Sequence, residues 1–90
     1  MMQIWKFPLE IDDLVSVEMP FGARVLTIQV QNGQPCLWAL VEPRNTSDGT
    51  TQLRIVGTGH DFDGKGEYID TFQLMDGALV FHVFLCPNAD

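Results

Sequence analysis

Short apolar runs with period-two alternation, broken by Gly, Pro, Asn and Asp, recur along this chain, and no long window carries a 3.6-residue apolar repeat. The pattern predicts seven strands, at about Gln3–Leu9, Leu14–Met19, Arg24–Gln31, Pro35–Val41, Gln52–Val56, Tyr68–Leu74 and Ala78–Leu85. Asp12-Asp13 is expected to turn the first pair, Pro20-Phe21-Gly22 the second and Met75-Asp76-Gly77 the last. Strands at this spacing predict an all-β domain: a small antiparallel β-sandwich or flattened barrel of hairpin-connected strands.

The segment Val25–Val41, VLTIQVQNGQPCLWALV, fixes a register. Asn32-Gly33 accepts the positive φ angles of a type I′ turn, so Val30 should face Pro35, Ile28 face Leu37 and Leu26 face Ala39. One face is then Leu26, Ile28, Val30, Leu37, Ala39 and Val41, wholly apolar and suited to a core. The other carries Val25, Thr27, Gln29, Gln31, Cys36, Trp38 and Leu40, a mixed surface. In the last hairpin a two-residue Asp76-Gly77 loop sets Leu74 against Leu79 and Phe72 against Phe81. A three-residue loop with Gly77 at a bulge would instead set Asp70 against His82. The two-residue loop keeps the apolar set together and is preferred.

Ninety residues make one domain, 1–90, with a thin core. The net charge of −7 changes the picture more. The basic residues Lys6, Arg24, Arg44, Arg54 and Lys65 are scattered, which disfavours direct nucleic-acid binding, because phosphate affinity needs clustered cations. Acidity suits encounter with a basic protein surface, or simply keeps a small domain soluble. Cys36 and Cys86 are too few for a disulfide scaffold and sit in apolar runs, so both are expected reduced, in a cytoplasmic setting. MMQIWKFPLE lacks the regions of a secretory signal, and the run Ala78–Cys86 is far too short for a membrane helix, so no membrane partner is expected.

Candidate chemistry is sparse. The loop Gly57–Glu67 is glycine-rich and acidic, and Asp61, Asp63 and Glu67 could offer oxygens to calcium, but Lys65 occupies a ligand position and the spacing departs from an EF-hand. A mobile turn, with no bound metal, is the expectation. Gly57-x-Gly59 lacks the following helix and the Lys-Ser/Thr of a phosphate loop. Cys36 or Cys86 with His60 or His82 are the candidate nucleophile–base pairs, and nothing in the sequence brings a third, orienting group to either histidine, so no catalytic or cofactor-binding residue is assigned. Trp38, with Gln29 and Thr27 beside it, is the candidate centre of a partner-binding face, with Asp61, Asp63 and Glu67 as steering charges. The structural alternative is that Trp5 and Phe7 cover Trp38.

The stretches IWKFPLEI, VEMPFGARVLTIQVQNGQPCLWALVEP, RIVGTGH, GEYIDTFQL and GALVFHVF together resemble a small family of unknown function that recurs in bacteriophages and prophages. The resemblance spans nearly the whole chain and assigns no catalytic residue. It implies a protein made in the cytoplasm of an infected bacterial host. The expected function is a non-enzymatic protein–protein inhibitor of a host or defence component, in the manner of counter-defence proteins. Two alternatives stand beside it. One is a self-associating assembly module of a phage particle, pairing through free strand edges as a homo-oligomer. The other is an oligomer that sequesters a nucleotide by gathering Arg24, Arg44 and Arg54.

Overall fold

The fold rests on a computed structural model that describes residues 1–87. Its strands are β1 (Gln3–Pro8), β2 (Leu14–Pro20), β3 (Arg24–Gln31), β4 (Gln34–Val41), β5 (Asp48–Gly57), β6 (Glu67–Leu74) and β7 (Leu79–Leu85), with no helix among the described residues. All pairings are antiparallel, in a three-stranded sheet of order β1-β4-β3 and a four-stranded sheet of order β2-β5-β7-β6. The two sheets form a flat sandwich of 40 × 34 × 16 Å. β1 and β2 do not pair, so the barrel is not closed.

Asn32 (φ 52°) and Gly33 (φ 78°) form the expected tight turn, with Gln31 opposite Gln34 and Ile28 opposite Leu37. Ile28, Leu37, Ala39 and Val41 enter the core from this sheet, and Val17, Leu53, Ile55, Phe72 and Val83 enter from the other. Leu9, on the link between β1 and β2, is buried with them. Each of these side chains except the small Ala39 contributes about 1.5–3 kcal/mol by leaving water. In the last hairpin Leu74 faces Leu79 and Phe72 faces Phe81, their ring centroids 5.5 Å apart, as the two-residue register requires.

Three expectations need correction. Leu26 does not face Ala39: a bulge between Val25 and Thr27 gives that place to Val25 and leaves Leu26 exposed. Asp12-Asp13 and Pro20-Phe21-Gly22 do not join paired strands, because the segments holding them carry the chain from one sheet to the other. Finally, Trp5 and Phe7 do not cover Trp38. Lys6 is the β1 register partner of Trp38, and alternation puts its neighbours on the opposite face.

The long loop also has a topological cause. β5 and β6 are consecutive in sequence but separated by β7 in the sheet, so the connection must cross β7. Phe62 packs on Phe84 of β7 as it passes, ring centroids 4.6 Å apart. Gly66 then re-enters the sheet at φ 110°, where a Cβ would lie 2.6 Å from the Leu85 carbonyl oxygen.

Candidate functional site

β3 and β6 lie side by side where the sheets meet, yet no backbone ladder joins them. The Asp70 carboxylate makes the link instead. Its Oδ2 accepts the Thr27 hydroxyl at 2.6 Å and the Ile28 N–H at 3.0 Å, while Oδ1 accepts the Thr71 N–H at 2.9 Å. Ladder parity explains the Ile28 bond. The turn-closing pair Gln31–Gln34 directs its peptide groups between β3 and β4, as do Gln29 and Thr27, so Ile28 points its N–H away from β4 towards β6. Burial opposes ionisation of Asp70, but the Thr27, Ile28 and Thr71 donors outweigh it and hold the carboxyl below its ordinary range.

Towards their N-terminal ends the two strands part. Each is bulged there, β3 at Leu26 and β6 at Ile69, and bulges bend and twist a strand out of line with its neighbour. A groove of about 950 Å³ opens between them, lined by Val25, Leu26, Tyr68 and Ile69, with Phe21 and Arg24 also bordering it. Phe21 (68% exposed), Leu26 (43%) and Tyr68 (55%) offer it apolar surface. Val25 faces Ala39, whose peptide groups turn to β1, and Tyr68 faces Phe84, whose peptide groups turn to β5. The peptide groups of Val25 and Tyr68 are therefore directed into the gap. Two unpaired edges beside apolar side chains are what an extended peptide needs for strand addition.

A second arrangement covers the outer face of the four-stranded sheet. His82 Nδ1 lies 3.0 Å from the Thr71 hydroxyl and Nε2 lies 2.7 Å from the Thr58 hydroxyl, while Tyr68 Oη is 2.7 Å from Thr71 Oγ1. The histidine thus pins the start of the β5–β6 loop to β6 across β7. The sequence alone suggested no orienting group for it; among the described residues the structure supplies two hydroxyls and no carboxylate. Beside it the Arg54 guanidinium sits 5.4 Å from the Phe62 ring centroid and 3.9 Å from Asp63.

The sequence-predicted residues fall into two places. Trp38 is half-buried on the outer face of the three-stranded sheet, opposite Thr27, with exposed Gln29 one position along that face. Asp61, Asp63 and Glu67 are exposed on the other sheet's side, where Phe62 packs outward on Phe84, so the structure does not bring them to Trp38. Glu67 does border the groove, and Asp63 also accepts the Lys65 N–H. Among the described residues no three His, Cys, Asp or Glu side chains gather as a metal site. No helix there is long and apolar enough to cross a membrane. Cys36 and Cys86 are free. Arg44 pairs with Glu42 and Arg54 with Phe62 and Asp63, which leaves Arg24 as the arginine at the groove.

Compared with known proteins, residues 1–89 match a family described as Domain of unknown function (DUF7352). No curated protein and no solved structure matches significantly. The chain belongs to this family of unknown function.

Proposed function

We propose that this domain is a non-enzymatic binding module acting by protein–protein contact, and that the groove between β3 and β6 receives an extended segment of its partner. The single observation that carries the reading is the pair of open strand edges, Val25 and Tyr68, facing one another beside exposed Phe21 and Leu26. His82 supports a non-catalytic reading, since both ring nitrogens are engaged by threonine hydroxyls that tie a loop down. The phage-type setting implied by the sequence resemblance makes a host or defence component the partner class, met in the cytoplasm of an infected bacterium. The net charge of −7 would speed encounter with a basic surface, with Asp61, Asp63 and Glu67 as steering groups.

The test begins with capture from extracts of infected cells by the tagged full chain, followed by reconstitution of the complex from the purified partner. Replacing Leu26 and Tyr68 by serine should weaken that complex at least about tenfold, close to 1.4 kcal/mol, without unfolding the domain. Trp38→Ala should leave it within a factor of about three. The reverse pattern, loss with Trp38→Ala and none with the groove pair, would move the contact to the Trp38, Thr27 and Gln29 face and end the groove reading.

A further inference from the structure

A second open edge lies on β1, and its chemistry differs from that of the groove. The Leu9 N–H donates to the Pro35 carbonyl at 2.9 Å, which sets the parity of the β1–β4 ladder. Gln3, Trp5 and Phe7 turn their peptide groups to β4, whereas Ile4 and Lys6, with Met2 just before the strand, turn theirs outward. Pro8 has no N–H to present and ends the edge. Ile4 is 60% exposed and Met2 49%, and exposed Trp5 borders them. Edge strands are commonly protected by a lysine that projects past the edge. Here Lys6 Nζ instead donates to Gln31 Oε1 of β3 at 2.8 Å, drawn back across β4, so the one charge on the strand does not guard it.

We propose that β1 pairs antiparallel with β1 of a second copy of this chain, on a two-fold axis through Ile4. This register sets Ile4 against Ile4 of the second copy and Met2 against its Lys6, so every outward-turned residue finds an outward-turned partner. The register has no like-charge pair, does not use Pro8, and joins the two three-stranded sheets into one. Centring the axis on Lys6 would oppose two ammonium groups. Charge also favours this edge for self-contact. A chain of net charge −7 repels its own copy, but β1 carries no carboxylate. By the parity that the Ile55 N–H to Asp13 carbonyl bond sets, the free edge of β2 turns out Leu14, Ser16 and Glu18, and its equivalent two-fold pairing would set Glu18 against Leu14. An isologous contact of this kind closes as a dimer.

Sedimentation of the full chain over a concentration series should show a monomer–dimer equilibrium. Ile4→Pro should abolish it while preserving the fold, because the N–H it removes points away from β4. An independent measurement reads the register directly. Directly opposed residues of a hydrogen-bonded antiparallel pair have Cα atoms about 5.5 Å apart, within disulfide reach. Ile4→Cys should therefore form a covalent dimer on mild oxidation, and Lys6→Cys should not. A wild-type monomer at every concentration overturns the proposal. So does a dimer untouched by Ile4→Pro, or equal cross-linking from Lys6→Cys. Loss of a different bound protein from β1 variants of a monomeric chain would assign the edge to a heterologous strand instead.

Discussion

Asp70 is the most economical place to test how the two sheets are held. Its Oδ2 accepts from Thr27 and from the Ile28 N–H, and no backbone ladder joins β3 to β6. Hydrogen bonds to a charged acceptor contribute about 1.5–3 kcal/mol each, and the figure falls at a half-buried site where water can replace the lost partner. Asp70→Ala should therefore destabilise the domain by about 2–4 kcal/mol, and Asp70→Asn, which keeps one acceptor, by about 1–2 kcal/mol. For a domain of this size each kcal/mol lowers Tm by about 4–8 °C, so a calorimetric melt resolves both variants. The pH dependence gives a second reading of the same group. The folded carboxyl titrates below its ordinary range, so its contribution is fully present above the unfolded value of about 3.9 and fades as pH falls through the lower folded value. The stability gap between wild type and Asp70→Asn should shrink below about pH 4 and stay constant from pH 5 to 7. Hydrogen exchange at the Ile28 amide should quicken in both variants. An Asp70→Ala protein that melts within about 0.5 kcal/mol of wild type, or a gap that widens on acidification, would refute the carboxylate link.

Two further outcomes follow from local geometry. Gly66→Ala forces a Cβ against the Leu85 carbonyl at a φ that side chains rarely adopt, and should cost about 1–3 kcal/mol in a denaturant titration; a neutral result would mean the loop re-enters the sheet differently. His82→Ala frees the Thr58 and Thr71 hydroxyls and should cost about 1–2 kcal/mol, with faster amide exchange concentrated around Thr58 and not spread over the sandwich.

Much of the fold was legible because two hairpins announce their own register. Asn32-Gly33 and Asp76-Gly77 each specify a turn, and the apolar parity on either side leaves one register that keeps Ile28, Leu37, Phe72 and Phe81 inward. The connections were less legible. Asp12-Asp13 and Pro20-Phe21-Gly22 encode a change of direction, and turn chemistry says nothing about whether the next strand pairs with the last or crosses to the other sheet. Asp70 could have been found from parity alone, since it shares the face of Phe72 and Leu74, and a lone carboxylate among core positions needs donors. Of the Thr58–His82–Thr71 chain only half was legible: the last hairpin's register sets Thr71 opposite His82, whereas Thr58 reaches His82 only because β7 also pairs with β5, which depends on the whole sheet order.

The groove itself arises where the period-two rule breaks. An unbulged β3 would turn Leu26 inward opposite Ala39, and an unbulged β6 would place Ile69 opposite Phe84 and keep the strand in line. Either change removes apolar surface from the site and brings the two edges closer. With one extra residue in each strand at the same end of the seam, both edges bend before they meet, and the pairing passes to the Asp70 side chain at the other end. A continuous β3–β6 ladder would stabilise the sandwich more than one carboxylate does, since each backbone hydrogen bond contributes about 1 kcal/mol. That the chain forgoes the ladder at both bulges, and exposes Leu26 and Tyr68 there, is the arrangement expected of an edge kept open for another strand.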